Sequence, residues 1–567
     1  MILPIAAQIA VVASGAGATL PFVTYEAEDA ASNGVLIGPD RRFGTLVSEA
    51  SGRRAVRLDR AGQTVSFTLR EPANALTLRY SIPDGRNGRG QDVELAIEVD
   101  GNPVDRLSLT SRFGWFYGRY PFTNRPAAGR AHHFFDEARW RIGRTMAAGS
   151  KVTLRWPTGQ RTAWIALDCV DFEAVPPAGT RPPKSIPVTR LGADPTGRRN
   201  SAAAFRAGIR AARFARRPLW IPPGKYRVND HLVVDDVRII GAGPWYSILT
   251  GRGVGVFGRK APRGSRDVEL SGFAVEGEVA DRNDHLPLSA IGGAFNRSLI
   301  SNLYLHHTKV GVWLDGPMHD LIVRRLRIAD QTADGINLHR GVRRATIEQN
   351  FIRNTGDDGI ALWSDRQADA NIIIRHNTVV APILANGIAI YGGRNITVSN
   401  NLVADTLTQG GGIHLGARFH STPFSGAIMI DRNHLVRTGS FDPNWHFGVG
   451  AIWIYALEQP VRDARIMLRN NHIDDSSCEA VQLLGPKPIG NVAIDRLEVI
   501  GGGDTVLALQ SAGSLKVRDV RVTNGSDRAV MVPENFDFED RSGNSGWSWV
   551  RAETAGLPTC GSIEPRR

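Results

Sequence analysis

The sequence predicts an all-β chain in which an antiparallel β-sandwich precedes a parallel β-helix, and three observations carry that prediction. First, one six-residue phrase recurs: VGVWLD (310–315), DGINLH (334–339), DGIALW (358–363), NGIAIY (386–391) and GGIHLG (411–416), with weaker copies at 450–455 and 479–484. Its glycines at 311, 335, 359, 387 and 412 are 24, 24, 28 and 25 residues apart, a period that suits one turn of a solenoid. Second, the first 174 residues alternate apolar and polar side chains in many short runs. Third, a proline-rich stretch, VPPAGTRPP (175–183), separates these two regions.

Within each phrase the third and fifth residues are Val, Ile or Leu, while the residue between them varies. That is the alternation of a half-buried strand. A second β-rich run precedes each later phrase and ends in asparagine, at Asn350, Asn377, Asn401, Asn433 and Asn471. Stacked amides at a turn can pair along a solenoid axis where the backbone turns left-handed. Stepping back by 24 places Leu326 and then Asn302 in the same column.

The N-terminal runs, such as AVRLD (55–59), TVSFT (64–68), LTLRY (76–80), VELAIEV (93–99) and KVTLR (151–155), have the spacing of a β-sandwich over residues 21–174. Its opening YEAED (25–29) and closing DCVDFE (168–173) resemble the ends of carbohydrate-binding modules of the family 6 and 35 type. That resemblance implies a structural calcium held by Glu26, Glu28 and Asp171. An aromatic-rich insertion, FGWFYGRYPF (113–122) followed by HHFFDE (132–137), can either stack on sugar or pack against the solenoid.

Residues 1–20 begin with an apolar run and lead into SGAGA (14–18), without a preceding Lys or Arg. A cleaved secretion signal is expected there, and hence a secreted protein. The linker is assigned to residues 175–186 and the solenoid to 187–567. LGADPTG (191–197), a helical stretch over 200–216, LWIPPGKY (219–226) and IIGAGP (239–244) resemble the start of right-handed parallel β-helix enzymes of the pectate lyase superfold. The helix would cap the open end of the apolar column.

Composition excludes several classes. The net charge of +12 comes from arginines dispersed along the chain, without a basic run interleaved with aromatics, so no nucleic-acid partner is expected. No apolar stretch approaches membrane-spanning length, so no membrane partner is expected either. Three cysteines, Cys169, Cys478 and Cys560, have no ligand-like spacing and leave the redox compartment open. A monomer is expected.

In the first column of the phrase, Asp334 and Asp358 are one repeat apart, and Asp357 adjoins the second. In a parallel solenoid such residues lie about 4.8 Å apart. Carboxylates this close raise one another's pKa and suit glycoside hydrolysis, where one acid protonates the leaving oxygen and another activates water. The spacing resembles the site of β-helix polygalacturonases, which implies Asp357 as general acid, with Asp334 and Asp358 holding an inverting water.

Around this column lie Trp313, Asn337, His339, Trp363, Tyr391, His414, Arg418 and Trp453, read as substrate-binding, with Tyr455 nearby. Rings beside carboxylates suit a neutral polysaccharide, whereas Arg340 and Arg418 keep an acidic one open. GDDGIALWS (356–364), LANGIAIYGG (384–393), GGIHLGARF (411–419) and WHFGVGAIW (445–453) resemble glycoside hydrolase family 87, the α-1,3-glucanases and mycodextranases. The resemblance implies an endo-acting α-1,3-glucan hydrolase that needs no cofactor for catalysis. A pectate-type lyase or polygalacturonase and a non-catalytic polysaccharide-binding adhesin are the alternatives.

Overall fold

The computed structural model describes residues 15–118, 125–129, 131–442, 447–503, 505–553 and 560. Most of the expected secretion signal, part of the aromatic insertion, and Trp445 of the quoted motif lie outside the described residues.

The N-terminal domain is the expected sandwich. Ala55–Leu58, Ala73–Ser81, Asp136–Met146 and Ile165–Glu173 build one antiparallel sheet, and Thr64–Thr68, Asp92–Val99, Asn102–Thr110 and Lys151–Arg155 build the other. Alternation puts Val65, Phe67, Leu95, Ile97 and Leu154 between them, all essentially buried.

The helix Ala202–Ala215 then closes the solenoid end. Ala204, Phe205, Gly208, Ile209 and Ala212 form its buried face, at the spacing expected of an amphipathic cap. Behind it, an 11-stranded parallel sheet runs through Val310–Asp315, Ile336–His339, Ile360–Trp363, Ile388–Tyr391, Ile413–Ala417, Ile452–Ala456 and Val481–Leu484. The register is as read from sequence: Val312, Ile336, Ile360, Ile388 and Ile413 are stacked partners. The other walls contribute two strands per coil, for instance Met318–Arg324 and Arg327–Gln331. One apolar column from Val188 to Phe538 fills the interior.

The repeated glycine follows from this closeness. A Cβ on Gly335 would lie 2.5 Å from the Gly359 carbonyl and 2.7 Å from Ile352 Cγ2, so a side chain there would push the coils apart.

The asparagine column forms a buried amide ladder. Asn350 donates to Asn377 at 2.8 Å, Asn377 to Asn401 at 3.0 Å, Asn401 to Asn433 at 2.9 Å and Asn433 to Asn471 at 3.1 Å. Two details differ from expectation. The left-handed residue is the one before each ladder amide, Gln349, His376, Asn400, Arg432 and Asn470. In addition, the coil from Leu303 to Leu326 is one residue shorter: Tyr304 pairs with Arg327, so Leu303, not Asn302, stands beside Leu326.

The proline-rich segment is a strap lying on the solenoid. Gly179 N–H donates to the Ala242 carbonyl at 2.8 Å and Tyr246 Oη to the Pro176 carbonyl at 2.7 Å. The sandwich lies against the solenoid's side through buried charge: Arg327 and Arg353, one coil apart, reach Asp171 at 2.7 and 2.8 Å, and Arg353 also reaches Glu137 at 2.6 Å. The aromatic insertion packs in this seam, with Phe116 and Phe134 against Ile383, Leu384 and Leu407.

Cys478 and Cys560 are disulfide-bonded, 82 residues apart, and tie Cys560 to the coil that leads into Val481–Leu484. Closing so long a loop restricts the unfolded chain by about 4–5 kcal/mol in the chain-entropy model. A Cys560→Ser variant is therefore expected to unfold at lower temperature in calorimetry, and reductant should shift wild type to the same midpoint while leaving the variant unmoved.

Candidate active site

The parallel ladder sets the site. Gly335 N–H donates to the Asp358 carbonyl at 3.0 Å, and Gly359 N–H to the Asn386 carbonyl at 2.8 Å, which holds residues 334, 358 and 386 in one column. Asp357 joins from the turn, where Thr355 Oγ1 donates to its carbonyl at 2.8 Å. Oxygens of the three carboxyl groups all lie within 4.8 Å of one another. Asp334 and Asp358 are buried, at 6% and 3% exposure, while the Asp357 side chain is 20% exposed.

Each carboxyl has a different environment. Asp358 Oδ1 accepts both the backbone N–H and the side-chain amide of Asn386 at 2.8 Å, and its Oδ2 accepts Tyr391 Oη at 3.0 Å. Asp357 Oδ2 accepts Arg282 Nη1 at 2.8 Å. Burial, then the neighbouring charge of Asp357, pushes Asp358 up to about 7. Burial, then Asp357 and Asp358, raises Asp334 well above the carboxylate range. Asn337, one residue past Gly335 and Ile336, bonds Asp334.

The surrounding residues divide into two sets. Trp313, His339 and Trp363 remain half-buried on the outer face, with the His339 ring stacked on Trp363 at 4.5 Å between centroids. His414 and Trp453, expected to contact substrate, are 0% exposed and stack on each other at 3.7 Å. Beyond each other, His414 meets the Tyr391 ring at 5.4 Å, and Trp453 meets the Tyr455 ring at 5.7 Å and the Arg418 guanidinium at 5.3 Å. Their role is support: Trp453 Nε1 donates to Asn386 Oδ1 at 2.8 Å, orienting the amide that holds Asp358. Tyr391 is likewise buried and acts on Asp358. Arg418 is 8% exposed, with its guanidinium over the Phe419 and Trp453 rings at 4.6 and 5.3 Å. It is thus engaged by aromatic faces and is not presented to an acidic sugar.

Three further contributors were not assigned to the site from sequence. Asn386 occupies the aspartate column one coil on, and that position was its signal. Arg282 and Lys309 were not legible. Lys309 Nζ donates to the carbonyls of Asn283, Asp284 and Leu286, which fixes the turn that carries Arg282.

The proposed calcium set needs correction. Asp171 Oδ1 accepts Thr24 at 2.7 Å, and its other oxygen faces Arg327 and Arg353, so it points into the domain seam. Asp168 is the acid that Glu26 and Glu28 meet. One oxygen of each glutamate, Glu26 Oε2 and Glu28 Oε2, is buried without a hydrogen-bond partner. Burial, then Asp168, pushes Glu28 up to about 8. Asp168 is itself held, by Arg79 at 2.5 Å and the Ser51 N–H at 2.9 Å, so the two orphaned glutamate oxygens are what suits a hard cation here.

A β-helix with three convergent carboxyls beside half-buried aromatic rings defines a polysaccharide-active glycoside hydrolase. Comparison with known proteins places it more closely. Residues 19–175 match the α-1,3-glucanase catalytic domain D1 model and residues 201–499 the α-1,3-glucanase catalytic domain D2 model. The catalytic unit of a thermostable family 87 α-1,3-glucanase from Streptomyces thermodiastaticus strain HF3-3 is 37% identical, over 96% of this chain and all of that one, with a TM-score of 0.87. The chain belongs to the family 87 α-1,3-glucanases and is a glycoside hydrolase.

The Agl-KA catalytic domain, 23% identical over 94% of this chain and all of that one, shares the fold at a TM-score of 0.85. So does a family 87 α-1,3-glucanase catalytic domain solved in complex with nigerose, 24% identical with the same coverage, at 0.81. No curated protein matches the chain.

The folded chain holds Asp358 at about 7 against 3.8 for the free group, so it binds more protons than the unfolded chain between those values. Stability therefore falls as pH rises through that window, and the loss is complete above about 7. Asp358→Asn removes the buried charge. It is expected to unfold above wild type at pH 8, by up to about 4 kcal/mol, with the difference vanishing towards pH 4. Equal midpoints at pH 8 would contradict the burial argument.

Proposed function

We propose that the enzyme is secreted, acts as a monomer, and cleaves internal α-1,3-glucosidic bonds of α-glucan with inversion at the anomeric carbon. The observation that carries this reading is the convergence of Asp334, Asp357 and Asp358 within 4.8 Å on two adjacent coils, beside the half-buried rings of Trp313 and Trp363. The Cys478–Cys560 disulfide supports an oxidising destination. Completeness of the site within one chain supports the monomer. Catalysis draws on side chains alone, and a structural calcium binds at the orphaned oxygens of Glu26 and Glu28, away from it.

The contacts favour a division of labour different from the polygalacturonase-like one. Arg282 places positive charge on Asp357, the most accessible of the three, and suits it to act as a base. Asp358 retains a proton up to about pH 7 and is suited to give it to the leaving oxygen. Asp334, whose burial raises its proton affinity, orients the water that Asp357 deprotonates. Trp313 and Trp363 offer ring faces to glucosyl units, with His339 backing Trp363.

Incubation with α-1,3-glucan, nigeran and polygalacturonate is expected to release reducing ends from the first two, without ultraviolet-absorbing product, and with β-configured reducing ends in the first NMR spectra. Asp334→Asn, Asp357→Asn and Asp358→Asn should each lower hydrolysis at least ~100-fold. An α-linked fluoride substrate needs no protonation of its leaving group. Asp358→Asn should recover most activity on it and Asp357→Asn should not; the reverse pattern would return the acid role to Asp357.

A further inference from the structure

A second cluster of metal-ligating side chains lies outside the active site, in the seam between the two domains. Asp136 begins the sandwich strand Asp136–Met146, and His306 ends the solenoid strand Ser298–His306. His307 follows with a left-handed backbone (φ 50°), and Asp330 is a left-handed residue (φ 54°) within the strand Arg327–Gln331 of the next coil. Consecutive strand residues point to opposite faces. The turn at His307 instead brings both imidazoles to one side, with their rings stacked at 3.6 Å between centroids.

We propose that Asp136, His306, His307 and Asp330 bind a structural zinc ion that ties the sandwich to the solenoid. Asp136, His306 and Asp330 are buried and the His307 side chain is 12% exposed, and one donor atom from each lies within 4.8 Å of the others. His306 Nε2 is 2.6 Å from Asp330 Oδ2 and 3.6 Å from Asp136 Oδ1, and His307 Nε2 is 2.7 Å from that same Asp136 oxygen. A tetrahedral ion about 2 Å from each donor needs donors about 3.3 Å apart, so shifts of under about 1 Å at the two short contacts open the site.

The outer shell is built as well. Tyr80 Oη lies 3.3 Å from the second oxygen of Asp136, and Asn354 Nδ2 donates to the second oxygen of Asp330. Phe113 covers the outer face of His307 at 3.7 Å. Those partners leave one oxygen of each aspartate aimed at the imidazole nitrogens, the Asp136 one also accepting the Glu137 N–H at 2.8 Å.

Charge balance selects a divalent cation. Two buried carboxylates need two positive charges, and placing both as protons on stacked imidazoles sets like charges face to face. One divalent ion balances both carboxylates and leaves the rings neutral. Two nitrogen and two oxygen donors suit zinc rather than calcium, which prefers oxygen alone.

The test uses the full chain, freed of metal, loaded with zinc chloride and passed through gel filtration. Elemental analysis is expected to find about one retained zinc per chain, cobalt loading should give the visible bands of a tetrahedral ion, and a chelator should lower the unfolding midpoint. His307→Ala and the gentler Asp330→Asn should lose the zinc and the chelator effect. His472→Ala, in the half-buried cluster with His434 and Asp474, should keep both. Wild type that retains no zinc and melts unchanged with chelator would overturn the proposal, leaving the histidines as protonated partners of the aspartates. Zinc lost from His472→Ala but kept by Asp330→Asn would overturn it too.

Discussion

Hydrogen bonding between successive parallel coils is the constraint on which everything else in the molecule depends. A coil can bond its neighbour only in register, so residues one repeat apart are held at strand spacing whatever their side chains prefer. That is how Asp334 and Asp358 stay close although their charges repel. The main chain supplies the stability that the carboxyls remove. Glycine after each aspartate is part of the same constraint, because no side chain fits between the Gly335 and Gly359 backbones. The asparagine ladder reinforces the register from inside, where each buried amide meets its neighbour and none is left unpaired along Asn350, Asn377, Asn401 and Asn433.

A site built this way inherits its electrostatics from its depth in the stack. Asp358 has a coil on either side and receives Asn386 and Tyr391 from the next one. Asp357, at the turn, meets solvent and Arg282. Identical side chains thus meet different surroundings through position alone. The buried rings of His414 and Trp453 extend that order, since Trp453 fixes Asn386 and Asn386 fixes Asp358.

The sandwich is joined to the solenoid by charge as much as by apolar packing. Arg327 and Arg353 are committed to Asp171 and Glu137 in a dry seam, where separating either partner would strand a buried charge. Such an interface favours one relative placement of the domains. It also accounts for the aromatic insertion, which packs Phe116 and Phe134 on the solenoid.

Much of this was legible in the residues. Alternation and a period near 24 determined strands, coils and register, and register alone brought Asp334, Asp357 and Asp358 together, because a solenoid converts sequence spacing into distance. Even Asn386 was visible as the next member of the column. Features that the period does not govern were decided only by tertiary structure. Arg282 arrives from a turn about 75 residues away in sequence, Asp168 replaces Asp171 beside the glutamates because the seam claims Asp171, and the outward rings divide into exposed and covered according to which turns fold over them. Repetition fixes neighbours along the axis, whereas turns and a docked domain obey no repeat, so their contacts exist only once the chain has closed.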